Sequence, residues 1–377
     1  MDKIKRFVKK ETVLSISFVL ALISAFFIPP DGTYISYIDF RVLALLFSLM
    51  TIMAGLNRAG VFYDMGTRML SRTENTRQLT AVLVALCFVS SMFVTNDVAL
   101  ITFVPFAVMV LEMAGERKHM IFVVVLQTVA ANLGSMMTPV GNPQNLYLYS
   151  VSKMAFGDFI QTVFPYTALS FLLLSICILA MKKEKIAVSL DSETAKREGK
   201  KGDGTEGRPV IKYALLFLVC LGTVLHLVPY QAAFLLTLVT VAVTEKDVLR
   251  RVDYSLLLTF VFFFVFIGNM GRIPAVAGSL EQLLAERELE ASILASQVIS
   301  NVPAAILLSG FTDNYRELLL GVNIGGLGTL IASLASLISY RYYVHAEGSS
   351  KPKYMAVFTA VNAGFLAVLT VFAKIIG

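Results

Sequence analysis

The chain has 377 residues, of which 56% are hydrophobic and only 15% charged, with a net charge of +6 and a pI near 9.1. A soluble domain carries about 25% charged residues, and the mean hydropathy here is +0.74, so a water-soluble globule is excluded. The basic residues sit in short hydrophilic segments between apolar runs, not in a stripe, which points to a lipid bilayer as partner and not to nucleic acid.

Met1–Glu11 carries Lys3, Lys5, Arg6, Lys9 and Lys10 and is followed by the uncharged run Val13–Ile28. That run ends in Phe26-Phe27-Ile28-Pro29-Pro30, without a small-residue cleavage site, and reads as a retained first span. Residues 1–40 therefore form an N-terminal helix and loop. Spans are predicted over 12–28, 41–57, 120–148, 159–181, 211–228, 231–244, 255–270, 317–340 and 354–376. The apolar segments 78–113 and 291–312 read as hairpins that enter and leave on one side.

With the N-terminus cytoplasmic, the inside segments 1–11, 58–77, 114–119, 182–212, 245–254 and 341–353 hold 26 of the 32 Lys and Arg residues. The C-terminus then lies outside. Turning either hairpin into a single crossing would flip every later segment and spoil this asymmetry. The segment 182–210 is polar and glycine-bearing (Lys200-Lys201-Gly202-Asp203-Gly204) and reads as a cytoplasmic linker. Cys87, Cys177 and Cys220 all fall in apolar runs with no metal or disulfide spacing.

Three short motifs recur in the same order. Gly55-Leu56-Asn57-Arg58 resembles Gly268-Asn269-Met270-Gly271-Arg272, and Thr95-Asn96-Asp97 resembles Ser300-Asn301-Val302. Asn132-Leu133-Gly134 with Thr138 resembles Asn323-Ile324-Gly325 with Thr329. The matching hairpins enter from opposite faces in this topology, which is the inverted-repeat plan of many secondary transporters. The predicted fold class is an all-α polytopic membrane protein with two inverted repeats, each with a re-entrant hairpin and a broken transmembrane helix. The first repeat spans 41–181, with hairpin 78–113 and broken helix 120–148. The second lies in 211–377, with hairpin 291–312 and broken helix 317–340.

The run Asn132-Leu133-Gly134-Ser135-Met136-Met137-Thr138-Pro139-Val140-Gly141-Asn142-Pro143 holds two prolines and two glycines, which a continuous helix does not accommodate. Backbone freed at membrane depth must be satisfied by protein or line a cavity. Its carbonyls suit a cation and its helix N-termini suit an anion. Candidate substrate or ion ligands are Thr95, Asn96, Asp97, Asn132, Ser135, Thr138, Gly141 and Asn142 in the first half. Those in the second half are Ser300, Asn301, Asn323, Gly325 and Thr329. Asp97 is flanked by apolar runs, where a bare carboxylate is costly, and is the candidate H+ or Na+ site. Val302 stands at the matching place, so the halves are chemically unequal.

His226 reads as interfacial, His119 and His345 as loop residues, and Arg58 and Arg272 as groups that either snorkel or reach the substrate. No phosphate-binding G-x-x-x-x-G-K-[ST], H-E-x-x-H or G-x-S-x-G motif occurs, so an enzyme is not expected. No cofactor is expected beyond a bound Na+.

The motifs Thr95-Asn96-Asp97-Val98-Ala99-Leu100-Ile101 and Thr138-Pro139-Val140-Gly141-Asn142-Pro143-Gln144-Asn145 resemble those of the ion transporter superfamily. That group includes arsenite permeases, sodium/proton antiporters of the NhaD type, citrate permeases and divalent-anion/sodium symporters. Ser300-Asn301-Val302-Pro303 and Asn323-Ile324-Gly325-Gly326 look most like the arsenite-permease branch. The resemblance runs from about residue 40 to the end. It implies that hairpin tips and helix breaks form the substrate and cation sites, that the protein is a homodimer, and that the site moves in an elevator-like step. The symporter branch has Ser-Asn-Thr at both tips; here the tips read Thr95-Asn96-Asp97 and Ser300-Asn301-Val302.

The function expected is cation-coupled transport of a small inorganic or carboxylate anion across the cell's inner membrane. The alternatives are Na+/H+ antiport, with Asp97 binding the transported ion, and arsenite or antimonite efflux, in which a neutral hydroxide needs hydroxyl-rich contacts and no fixed positive charge.

Overall fold

The computed structural model describes residues 11–61, 64–65, 73–186, 208–346 and 348–376. Most of the expected linker, 187–207, and the basic residues before Glu11 lie outside these. Among the described residues the regular elements are helices, and the only extended pairing is an isolated bridge between Asn75 and Lys185. The chain is an all-α polytopic membrane protein.

Helix α1 is Thr12–Phe27, followed by a 3-10 turn, Gly32–Tyr37, and α2, Phe40–Arg58. The first hairpin segment divides into α3, Thr76–Ser90, and α4, Asn96–Met113. The glycine- and proline-bearing run divides into α5, Met120–Ser135, and α6, Pro143–Ser152. Then follow α7, Phe156–Leu179, α8, Arg208–Val224, α9, Tyr230–Thr244, and α10, Tyr254–Gly271. The second half ends with α11, Pro274–Leu284, α12, Glu288–Ile299, α13, Asn301–Ser309, α14, Tyr315–Ile324, α15, Leu334–His345, and α16, Lys351–Ile376.

Side-chain caps set several starts. Asp39 accepts from the Val42 amide, Asn75 from Gln78 and Asp253 from Leu256, each satisfying a donor that the helix itself leaves open. Three details differ from the sequence reading. Helix α11 has no counterpart among the predicted spans; Pro274 at its first turn starts it. Helix α15 runs on to His345, because Tyr343 is buried and stacks on Tyr354 at 4.7 Å, extending the packed face past the predicted span end. Helix α4, expected as a hairpin arm, is itself long and apolar enough to cross a membrane, as are α2, α7, α10 and α16.

Close approach is achieved with small residues, as membrane helices require in the absence of a hydrophobic drive between them. A Cβ on Gly55 would strike the Tyr213 ring, so α8 lies directly on α2. Gly134 faces the Phe88 carbonyl and the Ser91 hydroxyl, seating α5 on α3. Gly325 and Gly321 face Ser296 and Ser292, seating α14 on α12 in the same manner. The most apolar window of α2 is 61% buried and that of α16 only 22%, which puts the first at the centre and the second at the rim. Phe26, Phe27, Leu227 and Val243 point outward, as side chains meeting lipid do.

Candidate functional site

Four helices begin at one place in the middle of this bundle. Helix α4 starts after Thr95, α6 after Asn142, α13 after Ser300 and α15 after Ser333. Two backbone bonds hold the starts together in pairs. The Asn96 amide donates to the Gly141 carbonyl at 3.1 Å, and the Asn301 amide to the Ala332 carbonyl at 2.9 Å. Glycine is required at 141, since a Cβ there would strike the Ser135 and Ser91 carbonyls.

Side chains tie the two pairs to each other. Asn132 Oδ1 accepts from Asn96 Nδ2 at 3.1 Å and from the Ser333 hydroxyl at 2.9 Å. Asn142 Nδ2 donates to Asn323 Oδ1 at 3.2 Å and to the Ser135 hydroxyl at 3.0 Å, while its Oδ1 caps α6 through the Asn145 amide at 2.9 Å. Asn323 Nδ2 donates to Asn145 Oδ1 at 2.7 Å. Asn145 Nδ2 in turn holds the carbonyls of Ser135, Met136 and Thr138, the backbone freed by the helix break.

The cross-links are reciprocal. Asn132 of the first half meets Ser333, the start of the last broken piece; Asn323 of the second half meets Asn142, the start of the first broken piece. Asn132 and Asn323 thus each reach the start of the broken helix piece in the opposite half.

Asn96, Asn132, Asn142, Asn145, Asn301 and Asn323 are all buried, none more than 4% exposed. Buried polar groups of this kind are normally fully paired. Here Asn132 Nδ2 has no partner. No Lys, Arg or His side chain enters the hydrogen bonds of these asparagines among the described residues. The positive potential comes instead from four helix N-termini, each worth about half an elementary charge.

Ser300 carries strain: its φ of 75° and ψ of 154° lie in a region that only glycine visits easily. Its hydroxyl reaches only the Ala332 carbonyl at 3.4 Å and Asn301 Oδ1 at 3.5 Å.

Asp97 follows Asn96 in the first turn of α4, and its amide donates to Asn96 Oδ1 at 3.0 Å. It is half-buried, as is Thr95. The Asp253 carboxylate at the start of α10 is near enough to act on it electrostatically. Of the remaining candidates, Thr138 and Thr329 brace the breaks without lining the cluster. Thr138 bonds the Met92 carbonyl. Thr329 is exposed and tied through its amide and hydroxyl to Gln297, at 2.9 and 3.1 Å. Gly325 seats α14 as described. Arg272 faces away, pairing with Asp31 at 2.8 Å beside Thr33 and Tyr37.

Asn145 lies in the polar run at the helix break, whereas Ser333 and Gln297 are not among the residues the sequence singles out. Ser333 was findable, since it stands the same distance after Asn323 in sequence as the neighbouring Gly141–Asn142 pair stands after Asn132. Gln297, whose Nε2 holds the Gly325 and Leu327 carbonyls at 2.8 and 3.0 Å, carried no sequence signal. The one grouping with metal-ligand spacing among the described residues, Glu116, His119 and Glu184, lies away from the cluster, and Lys118 already bridges to Glu184 there.

The chain is similar to several known membrane proteins and transporters. The family model described as "Citrate transporter" matches residues 4–315. The uncharacterized transporter MJ0456 of Methanocaldococcus jannaschii is 31% identical over 341 residues, covering 90% of each chain. The inner membrane protein YbiR of Escherichia coli K12 is 29% identical over 323 residues, 84% of each. The silicon efflux transporter LSI3 of rice, Oryza sativa subsp. japonica, is 36% identical over 140 residues, 37% of this chain and 28% of its own.

Proposed function

The chain belongs to the citrate transporter family, and on that premise we propose that it is a secondary active transporter moving a small inorganic or carboxylate anion, driven by H+ or Na+. The observation that carries this reading is the convergence of four helix N-termini on a buried cluster with an unpaired amide donor at Asn132. Partial positive charge without a fixed cation attracts an anion and still lets it leave. Thr95, Asn96, Ser135, Asn142, Ser300, Asn301 and Asn323 supply the surrounding neutral contacts.

Asp97 binds the driving ion. It sits one residue from the cluster, so a cation arriving there neutralises its carboxylate and leaves the anion site more positive. Because the asparagines of the cluster are buried, turnover needs a movement of the site-bearing helices. The two halves are inverted copies, the N-terminus is cytoplasmic, the C-terminus is outside, and the working unit is a homodimer.

A second reading, efflux of a neutral hydroxide, is favoured because no Lys, Arg or His enters the cluster's hydrogen bonds among the described residues; the rice relative is named a silicon efflux transporter. Uptake into proteoliposomes under imposed Na+ or H+ gradients, with an internal pH dye, separates the readings. Gradient-driven accumulation of citrate, succinate, sulfate or phosphate supports the first. Movement of silicic acid or arsenite alone supports the second. A pH change on adding Na+ with no solute movement overturns both in favour of Na+/H+ antiport.

A further inference from the structure

The reciprocal pattern fails at one point. In one direction Asn323 is fully used: Oδ1 accepts from Asn142, and Nδ2 donates to Asn145 Oδ1 at 2.7 Å. Asn145 lies three residues after the helix start at Asn142. In the other direction Asn132 Oδ1 accepts from Ser333, the matching helix start. Three residues after Ser333 comes Ser336, so Ser336 is the counterpart of Asn145.

Asn132 Nδ2 and Ser336 Oγ are both buried, and neither has a hydrogen-bond partner. Asn132 is 4% exposed and Ser336 0%. By the offset that relates Asn145 to Ser336, the two orphans occupy the places of the pair that Asn323 and Asn145 make in the other half. The reason is length. A serine oxygen reaches about 1 Å less far from Cβ than an asparagine oxygen. A pair that closes at 2.7 Å with asparagine is left open by about 1 Å with serine, too far for a direct bond, and one oxygen set beside the gap can bond both atoms at about 2.8 Å.

We propose that this gap is a subsite for a single oxygen of the transported solute, held by Asn132 Nδ2 as donor and Ser336 Oγ as donor or acceptor, with a water in its place when the solute is absent. The inference rests on the transport reading given above. It locates the solute on the Asn132–Ser336 side of the cluster, the side that also carries Asp97 through the Asn96–Asn132 bond. It also restricts the solute to one with an oxygen free to accept from an amide, whether carboxylate, oxyanion or hydroxide.

The test is Ser336→Asn, which restores the pair made in the other half. Its melting temperature should rise, because two orphans become partners. Its KM should rise at least tenfold for whichever of citrate, succinate, sulfate, phosphate or silicic acid the wild-type protein moves in proteoliposomes. A higher melting temperature with unchanged KM means that the gap holds only a resident water, and overturns the proposal. An unchanged melting temperature shows that the two atoms do not face one another, and also overturns it. Should Ser336→Asn fail to fold, Ser336→Ala keeps the shape, and its KM should rise severalfold at constant melting temperature; an unchanged KM counts against the subsite. Wild-type protein that moves none of the five solutes fails the transport reading separately. The subsite is then decided by high-resolution cryo-electron-microscopy maps with and without added phosphate: density reaching from the Asn132–Ser336 gap into a larger group only with phosphate supports it, and a lone water-sized peak in both maps, or no density, overturns it.

Discussion

Replacing Asn142 with alanine removes three interactions at once, and their separate sizes can be worked out. The lost cap on the Asn145 amide costs about 1 kcal/mol. Asn323 Oδ1 loses its donor inside a closed cluster, which costs about 1–3 kcal/mol. The Ser135 hydroxyl loses a donor but still bonds the Asn132 carbonyl, so it adds little. The expected loss for Asn142→Ala is therefore about 2–4 kcal/mol. Asn142→Ser should recover about 1 kcal/mol, since serine caps a helix as Ser333 does at the matching place, but it cannot reach Asn323. The chain has no Trp, so unfolding is best followed with a thiol-reactive dye at the buried Cys87 and Cys220. Wild type, serine variant and alanine variant should melt in that descending order. An alanine variant as stable as wild type, or a serine variant no better than alanine, would refute the bonding scheme of the cluster.

Ser300→Gly should raise stability by up to about 1–2 kcal/mol, because relief of a glycine-only conformation outweighs the extra freedom of glycine in the unfolded chain; a lower melting temperature would show that the long Ser300 hydrogen bonds matter more than the strain. Arg272→Ala should leave solute KM unchanged, since Arg272, at the end of α10, binds Asp31, Thr33 and Tyr37 and none of the cluster asparagines. The Asp31 carboxyl is held below its ordinary value of 3.8 by the Thr33 hydroxyl and then by Arg272. A depressed carboxylate contributes stability above its unfolded value and loses it as pH falls through the folded one. The difference in melting temperature between wild type and Arg272→Ala should thus be flat from about pH 5 to 9 and shrink only below about pH 4; a change near neutral pH would contradict the assignment.

The class of protein and the places where its helices stop were legible because both follow from local chemistry. Uncharged runs of sufficient length have one use, and Pro139, Gly141 and Pro143 cannot sit inside a continuous helix. Asn132, Asn142 and Asn323 could be singled out because polar amides interrupt apolar sequence there. What the sequence did not reveal depends on long-range pairing. Nothing local says that Asn142 meets Asn323 or that Ser333 meets Asn132, and Thr329 resembles Thr138 in sequence while ending on the surface, tied to Gln297. Arg272 likewise had two open readings until Asp31, far away in sequence, supplied its partner.

The central claim is that Asp97 couples an ion to solute movement through the adjoining cluster, and Asp97→Asn tests it most directly. The substitution keeps size and hydrogen bonding and removes the titratable, cation-binding carboxylate. Gradient-driven accumulation and solute exchange at equal concentrations should be measured side by side in proteoliposomes. The account predicts that Asp97→Asn folds, still exchanges solute across the membrane, and no longer accumulates it against a gradient. Accumulation at the wild-type rate and extent would contradict it and remove Asp97 from the mechanism.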